Sequence, residues 1–125
     1  MRVAESNAVL KLKFQRLHST VVDSVTTAIA SIIDFLFQEA VIGIEDECAL
    51  NSPTLQGNWR ERCRSLLSRL HSSENPEAFV KLYLAFKKER QLEWLVDHID
   101  KFTDPSVISL VQEIYANEPT GFGMF

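Results

Sequence analysis

The histidines, and the acidic residues beside the last of them, are the side chains of this chain best suited to catalysis or metal binding. Asp97, His98 and Asp100 are close together in sequence. On a helix, however, Asp97 and Asp100 share one line while His98 points about 100° away. Such an arrangement makes neither a metal triad nor a proton relay. His18 and His71 belong to other segments, and the sequence has no phosphate-binding glycine-rich loop, no His-Glu-x-x-His and no Cys-x-x-Cys. These residues predict no enzyme, no metal site, no cofactor and no small-molecule substrate.

Charged side chains, in contrast, are sorted along the chain into a basic, an acidic and a second basic block. Residues 23–47 contain six acidic side chains and no Lys or Arg. Residues 1–22 and 48–72 each carry four Lys or Arg and one Glu. If each block forms helices of one bundle, opposite faces carry opposite charge, and copies can stack head to tail into a filament. The alternative is that the charge runs are solvated helix faces with no partner.

The two candidate faces follow from these blocks, because a guanidinium pairs bidentately with a carboxylate. The predicted basic face consists of Lys11, Lys13, Arg16, Arg60, Arg62, Arg64 and Arg69. The predicted acidic face consists of Glu39, Glu45, Asp46 and Glu47. On their helix, Arg60 and Arg64 lie on one flank and Arg62 and Arg69 on the other. Trp94 lies opposite the apolar face of its own helix, which predicts a covering C-terminal helix or an apolar contact with a partner.

Helical periodicity in nearly every segment predicts the elements that position these faces. At 125 residues and 46% apolar composition, the chain is long enough for one self-sufficient core. We expect an all-α, six-helix antiparallel bundle over residues 8–102, followed by an additional C-terminal helix and flexible tail over 103–125. The apolar helix over residues 25–40 is predicted to be the central one, with Gly43 as its C-terminal stop.

Local signals predict two helix starts. Asn58 is a candidate N-cap with Glu61 three residues on, and Asn75-Pro76 combines a cap with a proline at the first helical position. The cysteines, Cys48 and Cys63, have no metal-ligand or disulfide-framework spacing, and Cys63 is expected to be a buried thiol. The chain shows no signal peptide and no membrane span, which favours a cytoplasmic protein. A net charge of −4 argues against nucleic acid as a partner.

Residues 61–99 resemble helices four to six of a caspase recruitment domain (CARD) of the death-fold superfamily. The paired leucines at 66–67 precede the polar turn Glu74-Asn75-Pro76-Glu77, an aromatic follows at Phe79, and a short leucine-rich helix closes the segment. Upstream, Ile33-Asp34-Phe35-Leu36 matches an element of helix two in that family. The resemblance covers roughly residues 9–101 and is closest to CARDs of RNA-sensing helicases and apoptosome scaffolds. The loop 51–57 and the helix after Pro105 depart from the family pattern.

What the resemblance implies is a non-enzymatic module that binds another CARD-containing protein or itself, as an oligomer or filament, in apoptosis or innate immunity. In many CARDs a basic surface on helices one and four meets an acidic surface on helices two and three, and the charge blocks fall on those helices. Two alternatives stay open. One is an autoinhibited regulatory domain of a larger protein, and the other is an unrelated helical bundle that binds nucleic acid through its basic face.

Overall fold

The computed structural model describes residues 3–101, which are helical almost throughout and contain no strand. The elements in chain order are α1 (Val3–Arg16), α2 (His18–Val25), α3 (Ala28–Gln38), α4 (Ile44–Leu50), α5 (Trp59–His71), α6 (Ala78–Lys88), a 3₁₀ turn (Arg90–Leu92) and α7 (Glu93–Lys101). The predicted all-α fold is therefore confirmed. The predicted helix after Pro105 and the tail lie outside the described residues.

Helix α6 is the central helix, because its residues are buried without a break from Ala78 to Phe86. It packs against α1, α3 and α7. The prediction that the helix over residues 25–40 is the most covered one is wrong, since α3 exposes Ala30, Asp34 and Phe37. Helix α6 has apolar side chains on every side and neighbours to cover them, whereas α3 lies at the edge of the bundle.

An aromatic cluster holds α1 against α6. The ring of Phe14 lies 5.9 Å from that of Phe79 and 5.4 Å from that of Phe86, in the second case edge to face. On the other side of Phe79 the ring of His71, the last residue of α5, lies 4.8 Å away. All three phenylalanines are at most 1% exposed. Burial of each such side chain stabilises the fold by about 1.5–3 kcal/mol, so this cluster fixes α1 and the end of α5 on the core helix.

The N-terminus of α6 is capped from a distant part of the chain. Asn7 Oδ1, on α1, accepts hydrogen bonds from the backbone N–H groups of Phe79 at 2.6 Å and Val80 at 3.3 Å. Asn75 Oδ1 accepts one from the N–H of Glu77 at 2.8 Å, so the predicted local cap shapes the turn. Helix α6 itself starts at Ala78, two residues later than Pro76.

The chain bends sharply between α2 and α3, at Thr26 and Thr27. These helices meet at 107°, and Thr26 has a positive φ of 49°, a conformation that β-branched residues rarely adopt. The helix predicted over residues 25–40 therefore begins later, at Ala28, and Val25 ends α2. Within residues 3–101 no single helix is long and apolar enough to cross a membrane. The bent pair α2–α3 has sufficient length and apolarity only when its two helices are taken together.

Helix α3 ends at Gln38, and Gly43 does not stop it. Val41 N–H donates to the Leu36 carbonyl at 2.9 Å, and Ala40 N–H donates to the Phe37 carbonyl at 3.1 Å. With Ala40 at φ 59°, this is a Schellman motif whose left-handed position is filled by alanine. Gly43 instead precedes α4, where its N–H donates to Asp46 Oδ2 at 3.3 Å. The expected glycine stop is wrong because Ala40 terminates α3, and five residues, 39–43, separate the end of α3 from the start of α4.

Candidate functional site

The predicted basic and acidic faces meet within one copy of the chain where α4 packs on α5. Arg69 Nη1 lies 2.6 Å from Asp46 Oδ1, and both side chains are about one third exposed, at 37% and 34%. The other oxygen of Asp46 accepts the bond from Gly43 N–H. The expectation that these two residues belong to opposite faces is therefore wrong. Both are used to hold the start of α4 against α5.

Arg62 also has a structural role at the same junction. Its Nε donates to the Leu50 carbonyl at 3.1 Å and its Nη2 donates to Asn51 Oδ1 at 2.7 Å. Asn51 Nδ2 in turn donates to Glu47 Oε1 at 2.8 Å. The guanidinium thus caps the C-terminal end of α4, a position where the helix dipole favours a cation. Arg62 and Arg69 share the flank of α5 that faces α4, which confirms the predicted division of the arginines.

Glu39 is an interior residue instead of a surface acid. Its Oε1 lies 3.0 Å from Lys81 Nζ, and the two side chains are only 8% and 10% exposed. Lys81 belongs to the central helix α6, so this ion pair ties the end of α3 to the core. A buried charge is destabilising unless its partner is present. Glu39 therefore has no place on an outward acidic face.

Of the predicted acidic face, the outward part is the start of α4. Glu45 is exposed, and Glu47 is partly so. Ile44, the first residue of α4, is 65% exposed and is the most exposed of the large apolar side chains in the described part of the chain. An apolar side chain beside carboxylates on a helix end is suited to a contact with an apolar, cationic surface. We call Ile44, Glu45 and Glu47 the α4 tip.

On the opposite flank of α5, Arg60 and Arg64 point outward, each with an exposed acidic neighbour. Arg60 Nε lies 3.5 Å from Asp23 Oδ1 on α2, with both side chains more than half exposed. Arg64 pairs with Glu61, one turn earlier on α5, and the N–H of Glu61 donates to Asn58 Oδ1 at 3.2 Å, which confirms the predicted N-cap. Solvent-exposed pairs of this kind contribute about 0.2–1 kcal/mol, so a partner can compete for either arginine.

The basic residues of α1 divide between its two sides. Lys13 and Arg16 line a shallow depression with Leu17 and with His98 of α7. Lys11 points to the other side, toward His18 and His71, and acts electrostatically on His71. The sequence suggested that the histidines are scattered, but the fold brings His18 and His71 together beside Lys11. The spacing of Lys11 and His18, two helical turns apart, is the signal that could have indicated their shared face.

The basic residues that lie outside the α4–α5 junction give a second candidate surface. On α5, Arg64 and His71 are also two turns apart and lie on one line, about 160° around the helix from Arg62 and Arg69. We define the basic surface as Lys11, His18, Arg64 and His71. Burial, followed by the charges of Lys11 and His18, lowers the pKa of His71 below its ordinary value of 6.5.

The remaining candidate groups have structural surroundings. Asp100 Oδ1 accepts a 2.5 Å hydrogen bond from the Tyr83 hydroxyl, and burial followed by this bond raises the pKa of Tyr83. Burial raises the pKa of the Cys63 thiol to about 12, which confirms the expected buried thiol, while Cys48 is exposed. Trp94 is 54% exposed and stays a predicted apolar contact. Across residues 3–101 the acidic, histidine and cysteine side chains form no cluster with metal-binding geometry.

Comparison with known proteins gives no relative: no protein-family model matches the chain, and no curated protein or solved structure is significantly similar to it.

Proposed function

We propose that the chain is a non-enzymatic protein–protein interaction module whose basic surface binds the α4 tip of a second module. The observation that supports this proposal is the position of the charges that internal contacts leave exposed. Helix α4 packs on the Arg62/Arg69 flank of α5, whereas Arg64 and His71 occupy the flank about 160° away. Contacts between such opposed surfaces are heterologous and can propagate from copy to copy.

The finer proposal is homotypic assembly of the CARD type. It rests on the likeness of the helical motifs at 33–42 and 61–99 to that family, together with the charge arrangement. The partner is then a second copy of this chain or another CARD-like domain, and the setting is cytoplasmic signalling in apoptosis or innate immunity. Arg60, Lys13 and Arg16 extend the cationic area beyond the basic surface. Arg62, Arg69, Glu39 and Asp46 are withdrawn from the proposed contact because they hold the fold together.

Several weak contacts must act together in this assembly. One exposed ion pair contributes about 0.2–1 kcal/mol, so a charge contact alone is too weak, and burial of Ile44 adds apolar contact area. Fully burying an isoleucine contributes about 1.5–3 kcal/mol. Repetition along an assembly multiplies the effect through avidity. Assembly is therefore expected to be salt-sensitive and to depend on Ile44 as well as on Glu45.

A charge-swap experiment on the intact chain tests the contact. Arg64→Glu damages the basic surface and leaves the α4 tip intact, and Glu45→Lys does the reverse. Each variant alone should scatter less light than the unmodified chain at low salt. An equimolar mixture should recover scattering, because the mixture contains one unaltered contact and one with both charges exchanged, and alternating copies can then propagate.

Matched controls keep the change in net charge but move it to the 3₁₀ turn and α7. Arg90→Glu and Asp97→Lys alter exposed side chains by the same amounts, and neither should change assembly. The proposed contact is refuted if Arg64→Glu and Glu45→Lys assemble as the unmodified chain does, or if these two controls lose assembly equally. Ile44→Ser, which removes the apolar side chain without a charge, should reduce assembly as strongly as Glu45→Lys.

A further inference from the structure

His71 and its neighbours form a cationic cluster built on the aromatic core. Phe14 contacts Phe79, and the His71 ring lies 4.8 Å from Phe79 on its other side. Lys11 precedes Phe14 by one helical turn and His18 follows it by one turn, so both lie on the side of α1–α2 where His71 emerges. Hydrogen bonds from Leu17 to the Lys13 carbonyl and from Val21 to the Leu17 carbonyl carry the helix through the α1–α2 junction. The relative positions of Lys11 and His18 are therefore held by the helix.

The groups that face His71 come from each element packed around it. Helix α1 contributes Lys11, helix α2 contributes His18 and helix α6 contributes the uncharged ring of Phe79. Both charged neighbours oppose protonation of the imidazole, and burial acts in the same direction, so the pKa of His71 is lowered. A carboxylate brought to this point from outside would reverse that balance, because an opposite charge within hydrogen-bonding range favours the protonated imidazole.

We propose that the basic surface takes up a proton at His71 when it binds the α4 tip of a second copy, so that association strengthens as the solution is acidified from about pH 7.5 to about pH 5.5. This inference rests on the proposed function and adds a regulatory property to it. The occupant follows from charge complementarity, since Glu45 is exposed at the α4 tip and stands beside the exposed Ile44. The linkage is reciprocal: the bound carboxylate raises the proton affinity of His71, and the bound proton raises the affinity for the carboxylate.

Two variants that can form a dimer but no longer assembly make the proposal measurable. Glu45→Ala keeps the basic surface and lacks the acid, whereas Arg64→Glu keeps the α4 tip and has a damaged basic surface. Mixed in equal amounts, the two variants form one unaltered contact, between the basic surface of the Glu45→Ala chain and the α4 tip of the Arg64→Glu chain. The altered surfaces left at either end of this pair cannot bind further copies. With the Glu45→Ala chain isotope-labelled, an NMR titration follows the His71 ring alone and in the pair.

The pKa of His71 should be higher in the pair than in the free chain, and the association constant should rise about three- to tenfold between pH 7.5 and 5.5. His71→Gln in the Glu45→Ala chain should reduce that rise, while His98→Gln on α7 should leave it unchanged. Because glutamine at position 71 can disturb the packing on Phe79, the ring titration provides a second readout that needs no substitution of the histidine.

Two failures are distinguishable. If the pair forms but the His71 pKa and the association constant do not change with pH, the proton linkage is overturned and the proposed function stands. If the pair does not form at any pH, the contact itself is wrong. A rise in affinity on acidification that persists in His71→Gln assigns the effect to other groups and also overturns the inference.

Discussion

Replacement of Asn7 by alanine should destabilise the fold from a site that lies 72 positions before its hydrogen-bond partner. The Asn7 carbonyl oxygen accepts bonds from Phe79 N–H at 2.6 Å and from Val80 N–H at 3.3 Å. Phe79 and Val80 are at most 1% exposed, so water has little access to replace the lost acceptor. A buried donor left unpaired costs about 1–3 kcal/mol, whereas alanine regains up to about 0.7 kcal/mol of helix propensity in α1.

The net loss is therefore about 2 kcal/mol, and it should lower the melting temperature by roughly 8 °C for a domain of this size. Urea unfolding and calorimetry measure it. Asn7→Asp keeps an acceptor and places a negative charge at the start of α6, so its stability should stay within about 0.5 kcal/mol of the original. Gln15→Ala, an exposed change on the same helix, controls for propensity.

Hydrogen exchange locates the effect. The amides of Phe79 and Val80 should lose protection in Asn7→Ala. The amides of α3 should lose no more protection than the decrease in the global free energy of unfolding accounts for. The reasoning is refuted if Asn7→Ala unfolds at the original urea concentration, or if Asn7→Asp is as destabilising as alanine.

Three further substitutions test other parts of the structure. Ala40→Gly should stabilise the chain by about 0.5–1 kcal/mol in urea unfolding, because glycine fits the left-handed position at φ 59°. Ala30→Gly, at an exposed site inside α3, should destabilise the chain by about as much. If both substitutions change the free energy of unfolding in the same direction, Ala40 does not form the C-terminal cap of α3. Arg62→Lys should cost about 1–2 kcal/mol by losing the paired bonds to Leu50 and Asn51, while Arg60→Lys on the exposed flank should stay within about 0.5 kcal/mol. The pKa of His71 in the folded chain is below 6.5, so the unfolded chain binds more protons and the free energy of unfolding should fall as the pH drops from about 6.5 to about 5. His71→Gln should flatten this pH dependence, whereas His98→Gln should not. An unchanged pH dependence in both variants would refute the role of His71.

Much of the helical layout was predictable because local signals and tertiary structure agree. Periodicity predicted the all-α fold, and Asn58 was correctly predicted as the N-cap of α5. The position of α6 at the centre was not predicted, because the apolar run over residues 25–40 indicated α3 instead. Only the packing of α1, α3 and α7 around α6 shows that α6 is the central helix.

The candidate site was harder to predict, because the sign of a charge does not reveal which neighbour uses it. The helical wheel correctly separated Arg62 and Arg69 from Arg60 and Arg64, yet it could not show that α4 lies against the first pair. Glu39 looked like a surface acid and pairs with the buried Lys81, 42 positions away. His18 and His71 come together beside Lys11 through contacts between helices that are distant in sequence. Long-range hydrogen bonds of this kind, including that of Asn7, leave no periodic signal.

The most direct test of the interaction proposal is sedimentation velocity of the full chain over a range of concentrations at about 0.05 M and about 0.5 M salt, since the Debye length shortens about threefold between them. We expect species that grow with concentration at low salt and return to the 14.3 kDa monomer at high salt, with Glu45→Lys monomeric in both. A chain that sediments as a monomer at every concentration in low salt would contradict the proposed self-association.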